Sequence, residues 1–463
     1  MKNSFRNLFL VVLILLSSNS YSAKYIFYFI GDGMGLAHIT LTEGYLGAIS
    51  KNEKHIEELD FTKFPVVGLV RTFSKNKFIT DSAAAGTALA TGNKTNFEVL
   101  SMDELGNNNM VSIAEIAKKR KMKVAIITTT NIDDATPAVF YSHQKHRKMH
   151  SAIDEDMVKS NFDLFAGGGI KGEEKDQFAT SLANNNYEHT STRDAFLSLK
   201  KHKKTYIECP KLDAERGCPY SIDQDANDIK LSEVTNKAID LLYNPNGFFM
   251  MIEGGKIDWA SHINDAKTVV GEVIEFNDSI KEALKFYRKH PKETLIIVTS
   301  DHETGGLGLG FKNTKYEMSL DKLKNQTMSS SELSKLFLEY KISKSNRVSK
   351  ADAFSILQKH LGLGNKELSL DLTDAETTKL ETALKQSLSK KLEDVGKKEQ
   401  EDPFISEAIK TLNNKSGIGW TTLSHTAVPV VLFAIGAQSF LFDKYLDNTE
   451  VGKNLIKIVS NKK

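Results

Sequence analysis

The chain has 463 residues, 61 Lys and Arg against 59 Asp and Glu, and only two cysteines. That length builds one large α/β domain with an insertion, or two ordinary domains. The near-neutral balance excludes the broad basic surface by which nucleic acid is captured, so any phosphate recognition must come from a local site.

Met1, Lys2 and Arg6 precede an unbroken apolar run from Leu8 to Leu16, followed by small and polar residues through Ser20, Ser22 and Ala23. This is the order of a secretory signal. The run falls short of the ~20 residues that a membrane span needs. Residues 1–22 are therefore expected to be removed from an exported protein, periplasmic or extracellular, that keeps no membrane anchor. Lys2 and Arg6 leave with that segment, which makes the remaining chain formally neutral. Cys209 and Cys218 are expected to close a small loop as a disulfide in an oxidising compartment. A thiolate metal site made from them would lack the further Cys or His pair it needs.

Strand-like apolar runs recur at Tyr25 to Ile30, Lys123 to Thr129, Phe248 to Ile252, Thr294 to Thr299 and Val428 to Ile435. Helical patterns such as Val111 to Lys121 and Thr268 to Lys289 lie between them. The alternation predicts a doubly wound α/β fold, a mostly parallel central sheet flanked by helices. Residues 313–416 differ, with many charges of both signs, little strand signal and helix-like stretches around Glu332 to Tyr340 and Thr373 to Leu392. They read as a charged, largely helical insertion in a domain spanning 23–463. Its single histidine is His360, so the chemistry is sought elsewhere.

Polar residues of metal-ligating type stand just beyond the strand-like runs, where open α/β sheets bind their ligands. Asp32 lies in Ile30-Gly31-Asp32-Gly33-Met34-Gly35, which misses the dinucleotide order and whose acidic centre suits a cation better than a pyrophosphate. Asp81-Ser82 opens a run of small residues ending at Gly92. If that run is a helix, Ser82 sits at its positive end, where a serine alkoxide and a phosphoryl group are both favoured. Alone, the same pattern is more often an ordinary N-cap. Next come Asp133, Asp134, Ala135, Thr136 and Pro137, in which the proline is expected to hold Thr136 in an extended turn with its hydroxyl toward a cation. Arg147 follows, with a planar fork matched to two phosphate oxygens. Its neighbours His143, His146 and His150 read as solvated or packing residues.

Glu253 directly follows its strand, and Asp258 and His262, four apart, share one face if the segment is helical. Asp301 and His302 are adjacent in Ser300-Asp301-His302-Glu303-Thr304-Gly305-Gly306, and His425 stands just before the last strand.

Read in order, Ile-Gly-Asp-Gly-Met-Gly, Asp-Ser-Ala-Ala-Ala-Gly-Thr-Ala, Asp-Ala-Thr-Pro, Glu-Gly-Gly-x-Ile-Asp and Asp-His-Glu-Thr-Gly-Gly make the sequence resemble the alkaline phosphatase family from Tyr25 to about Ile435. Only 313–416 and the region from Lys171 to Tyr220 carry no nameable motif. The resemblance implies a hydrolase of phosphate monoesters of broad range, inhibited by its product inorganic phosphate, and from the family's habit a homodimer. It also implies two Zn2+ and one Mg2+. Asp258, His262 and His425 would hold the first zinc, and Asp32, Asp301 and His302 the second, which touches Ser82. Magnesium would share Asp32 and add Thr136 and Glu253, with Asp134 reaching its waters. Ser82 would become a phosphoserine while Arg147 clamps the phosphoryl oxygens.

Where family members pair Asp with Lys or His with Trp, this chain has Asp134 with Trp259, which implies magnesium at the third site and a looser hold on phosphate. A sulfatase is excluded because x-Pro-x-Arg does not follow Ser82. A diesterase fits less well because Asp32, Thr136 and Glu253 are all present.

Overall fold

Along the chain the strands are Tyr25–Ile30 (β1), Val66–Arg71 (β2), Lys123–Ile127 (β3), Leu164–Gly167 (β4), Tyr187–Thr190 (β5), Lys204–Glu208 (β6), Phe248–Glu253 (β7), Thr294–Thr299 (β8), Glu303–Thr304 (β9), Leu307–Leu309 (β10), Ile418–Trp420 (β11), His425–Thr426 (β12), Val430–Gly436 (β13) and Tyr445–Asp447 (β14). The structure, a computed structural model, describes residues 23–50, 55–172, 175–201, 203–389 and 401–460. The predicted leader 1–22 lies outside the described residues, as do 390–400 of the charged segment.

Ten strands form one sheet in the order β14-β2-β13-β8-β1-β7-β3-β4-β6-β5. From β8 to β5 all neighbours are parallel, and β13 alone runs antiparallel to both its neighbours. Every residue of β1, β7 and β8 is buried, which is why these strands read as unbroken apolar runs rather than alternating ones. Tyr25, Phe27 and Phe29 pack with Phe276 and Ile280 of helix Ala266–Lys289 on one face. Ile26, Tyr28 and Ile30 join Ala83, Leu89 and Ala90 of helix Ser82–Thr91 on the other. The doubly wound sheet expected from the alternation is the one found. Strands β2 and β4 to β6 are not among the predicted runs; β4 to β6 are only four or five residues long, and β2 buries only alternate positions.

Helices Ser330–Ser343, Lys350–Leu361, Asp374–Ser389 and Pro403–Ser416 pack around Leu333, Phe337, Leu357, Leu380, Phe404 and Leu412. Buried Lys341 ties three of them, reaching Asp402 at 2.6 Å and Ser387 at 2.9 Å. The chain leaves for these helices through β10 and returns through β11, which pairs with it antiparallel. Cys209 and Cys218 are bonded, with Cα atoms 5.6 Å apart.

Candidate active site

The polar residues collect where β1, β7 and β8 end side by side. Asp32 lies two residues beyond β1, Glu253 closes β7, and Asp301 and His302 follow β8. Because these strands are parallel neighbours in register (Ile30 beside Glu253 and beside Thr299), residues far apart in sequence emerge at one edge. His425 reaches the same place by a different route. The bridge β9–β12 pairs it with Thr304, which stacks its ring on that of His302 at 3.6 Å between centroids. Helix Lys256–His262 projects Asp258 and His262 from one face, as their spacing predicts, with Asp258 Oδ2 3.2 Å from His262 Nε2.

Ser82 begins helix Ser82–Thr91, whose cap is Asp81: one carboxylate oxygen accepts from Ala84 N at 3.2 Å. The serine hydroxyl donates to His302 Nε2 at 3.1 Å. That same nitrogen lies 3.2 Å from Asp301 Oδ2 and 3.4 Å from Asp32 Oδ1. On the far side of Asp32, its Oδ2 accepts from the Thr136 hydroxyl at 3.0 Å. Arg147 spans two carboxylates, with Nη2 2.9 Å from Asp134 and Nη1 3.5 Å from Asp81.

Thr136 departs from the expected conformation. It lies in the short helix Ala135–Ala138 rather than in an extended turn, with Asp134 as the cap. Pro137 is tolerated there because first-turn N–H groups have no partner within the helix. Thr136 nonetheless meets Asp32. His143, His146 and His150 each pair with a carboxylate, of Glu115, Glu98 and Asp133 respectively.

Two features fit this centre to cations. Asp32 Oδ1, Glu253 Oε2 and Asp301 Oδ2 are buried without a hydrogen-bond partner, an arrangement that is costly unless a charge of opposite sign is supplied. In addition, each histidine donates through Nδ1: His262 to Leu423 O at 2.7 Å, His425 to Thr80 O at 2.8 Å, and His302 to Thr304 Oγ1 at 3.2 Å. Nε2 is thereby left as an inward lone-pair donor on His302 and His425, and on His262 it would become one once a cation displaced the proton that faces Asp258, the arrangement that orients metal-ligating imidazoles.

Ligand atoms of Asp258, His262 and His425 lie within 4.8 Å of one another, and so do those of Asp32, Asp258 and His302. Asp258 thus borders both groups, a dual position the sequence does not reveal. Thr304, whose hydroxyl donates to Asp258 Oδ1, escaped the sequence reading, as did the approach of Asp81, the cap of the serine helix, to Arg147. Both sit inside motifs already singled out, and adjacency to a candidate ligand or to Ser82 was the available signal.

The electrostatics follow from burial and crowding. Burial pushes Asp32 and Glu253 up, helped by neighbouring carboxylates, and Asp301 is pushed up to about 7 by burial and by Asp258. Asp258 raises His262 to about 9. Burial lowers His302 and His425 and keeps them neutral.

A stability prediction follows for the metal-free protein. Groups with raised folded pKa hold protons that the unfolded chain has already released, so stability falls as pH rises from 6.5 to 9. The lowered histidines act with the opposite sign only below about 6.5, where the unfolded chain protonates them. The chelated protein should melt several degrees lower at pH 9 than at 6.5, with a smaller drop when metal is bound. Scanning calorimetry of both forms checks this, and a melting temperature that rises over the interval counts against it.

The fold and these side chains define a class: a doubly wound α/β protein with a buried serine facing a polar centre suited to cations. The family model "Alkaline phosphatase" matches residues 23–461. Alkaline phosphatase 3 of Bacillus subtilis (strain 168) is 33% identical over 451 residues, covering 95% of this chain and 89% of that protein. A cold-active alkaline phosphatase from a psychrophilic Shewanella sp. superposes with a TM-score of 0.79 at 28% identity, over 94% of this chain and 99% of that one. An aspartate-for-histidine variant of the alkaline phosphatase from the Antarctic bacterium TAB5, with Mg bound in its M3 site, gives 0.63 at 25% identity over 96% and 99%. The chain belongs to the alkaline phosphatase family and is a phosphoric monoester hydrolase.

Proposed function

We propose that this protein hydrolyses phosphate monoesters of broad range through a phosphoserine on Ser82, at a centre of two Zn2+ and one Mg2+. The observation that carries the reading is the collection, at one sheet edge, of three unpartnered carboxylate oxygens and three imidazole Nε2 atoms, one of which, on His302, meets the Ser82 hydroxyl. Asp258, His262 and His425 would hold one zinc, Asp32, Asp301 and His302 the other, and Asp32, Thr136 and Glu253 the magnesium, with Asp134 beside them. When bound, the cations would supply the positive charge that favours a serine alkoxide, a departing alkoxide and a deprotonated water.

The remaining work belongs to the chain. Helix Ser82–Thr91 presents the serine at its positive end, where the negative charge of nucleophile and phosphoryl group is stabilised. Asp81 and Asp134 hold the Arg147 fork in place, so two phosphoryl oxygens can be gripped without reorganisation. Ser82 Oγ bonds to phosphorus as the ester oxygen leaves with the electron pair, and water then cleaves the phosphoserine to release inorganic phosphate.

Residues 1–22 are proposed as a cleaved export signal, residues 313–416 as an insertion, and the exported protein as a homodimer. Among the described residues no helix is long and apolar enough to cross a membrane. Phosphate release from p-nitrophenyl phosphate, measured before chelation, after it, and after return of zinc and magnesium, tests the reading. Full activity in protein shown to be metal-free would overturn it.

Arg147→Ala should relax inhibition by inorganic phosphate about tenfold or more, because a charged, two-pronged contact is lost to product and transition state alike. Unchanged inhibition would remove Arg147 from the clamp. At the third site, an aspartate keeps the surroundings all-oxygen and suited to Mg2+, whereas histidine would admit Zn2+. The magnesium-bound TAB5 variant supports this direction. Metal analysis should find magnesium there in the parent and zinc displacing it in Asp134→His. Zinc filling the parent's site in the presence of magnesium would refute the assignment.

A further inference from the structure

The segment from Cys209 to Cys218, closed by its disulfide, takes no part in the chemistry above. Its backbone is fastened across the ends of β3 and β4. Cys209 N donates to Gly167 O at 2.9 Å, Cys218 N to Thr129 O at 3.0 Å, and Gly169 N to Arg216 O at 2.8 Å. Within the loop, Asp213 Oδ1 accepts from Glu215 N at 2.9 Å and Gly217 N at 2.8 Å, which fixes the carboxylate. Oδ2 is thereby presented to Lys256 Nζ as an ion pair.

Lys256 is completely buried, and its Nζ lies 3.8 Å from the Tyr220 ring centroid and 4.4 Å from that of Trp259. Gly217 lies directly on Trp259, since a Cβ there would come within 2.9 Å of the indole. Glu215 pairs with Lys171, whose Nζ lies 5.6 Å from the same ring. Lys256 is buried while Asp213 is half-buried, and leaving a buried charge without its partner is unfavourable, so the pair holds the two segments in one relative position.

Lys256 and Trp259 belong to helix Lys256–His262, the element that carries Asp258 and His262. A helix this short is not stable by itself, and Gly255 gives it no side-chain cap. Its orientation must come from tertiary contacts: Ile257 and Ala260 are buried in the core, Ser261 Oγ lies 3.0 Å from His38 Nε2, and His262 Nδ1 donates to Leu423 O. At the first turn Lys256 N donates to Thr129 Oγ1 at 3.1 Å, while the loop holds the Lys256 side chain. The geometry points to the 209–218 loop as a disulfide-braced positioning element: the disulfide holds Asp213, Asp213 holds Lys256, and Lys256 with Trp259 sets how Asp258 and His262 meet His425. The inference rests on the reading that these three residues hold a cation. It assigns Asp213 and Lys256 a role in cation affinity at that centre, and makes that affinity depend on the bond between the two cysteines.

The test uses purified full-length enzyme loaded with zinc and magnesium. Metal retained per chain is measured against a chelator series for the parent, Asp213→Asn, Lys256→Met, the Asp213→Asn/Lys256→Met double variant, Cys209→Ala/Cys218→Ala and His262→Ala. Asp213→Asn keeps the Oδ1 acceptor and so spares the loop's own bonds. In it, in Lys256→Met and in the cysteine variant, one cation should leave at about tenfold or more lower chelator concentration, the other two staying as in the parent. The double variant should lose no more than the single ones, because both cut the same tie, and kcat should fall more than KM changes. If His262→Ala loses one cation while Asp213→Asn and Lys256→Met keep parent affinity, the positioning role is overturned and the metal reading stands. Parent affinity in the cysteine variant alone overturns the part given to the disulfide. If His262→Ala loses no cation, the metal reading itself fails and the inference falls with it.

Discussion

Ser82→Ala should retain the parent's metal content and lose on the order of 10³-fold or more of its monoesterase activity, as removal of a nucleophile does in enzymes with a covalent intermediate. The hydroxyl is buried, faces His302 Nε2 at 3.1 Å and sits where the helix favours negative charge, so no neighbouring side chain can replace it. Alanine fits the helix as well as its neighbours Ala83, Ala84 and Ala85 do, which separates the chemical loss from a folding defect. Residual turnover is expected because bound cations can still present water to phosphorus. Acid quenching of the parent during turnover should trap a phosphoserine that is missing from the variant. Unchanged steady-state turnover, with no trapped phosphoserine in the parent, would sink the covalent route.

Asp32→Asn has the second large effect and two signs. One carboxylate oxygen faces His302 and Asp301, and the other accepts from Thr136, so Asp32 stands between two proposed cation positions. An amide there replaces one inward oxygen with a donor. Two of three cations should be lost together, and activity should fall on the order of 10³-fold, the several kcal/mol that cation stabilisation of the transition state supplies. In the metal-free protein the same change removes one carboxylate from a crowd that includes Asp301, Asp258 and Glu253, all of which disfavour its charge. Metal-free Asp32→Asn should therefore melt higher than the metal-free parent at pH 8, while the metal-treated variant melts lower than the metal-loaded parent. Metal analysis and paired melting curves read both effects. Loss of a single cation would assign Asp32 to one position only.

Much of this centre was legible in the sequence because its residues follow strands buried on both faces. Continuous apolar runs mark β1, β7 and β8, and the polar residue after each marks the sheet edge where ligands bind. Asp32, Glu253, Asp301 and His302 could be found from that rule. The i,i+4 spacing of Asp258 and His262 and the Asp-Ser start of an all-small helix also carry their geometry locally, since side chains four apart on a helix face the same way. Local pattern fails where sterics compete: Pro137 predicts an extended residue before it, but the cap at Asp134 and the packing of fully buried Ala135, Thr136 and Ala138 draw Thr136 into a helical turn.

What the chain order could not contain is the pairing of distant segments. His425 is placed against His302 by a two-residue bridge between β9 and β12, too short to leave a periodic signal. Asp258 borders two groups only because strand register brings Asp32 beside it, and Thr304 joins Asp258 to His302 through one hydroxyl. The loop between Cys209 and Cys218 read as a surface disulfide and nothing more. Its position beneath Lys256 and Trp259 is set by backbone bonds to Thr129, Gly167 and Gly169 across a sheet edge. By itself the sequence determined which elements form and which side chains end each strand, because both are consequences of local propensity and burial. The tertiary structure alone decided which of those side chains share an atom-scale neighbourhood, because that depends on register and crossover, which no single segment encodes.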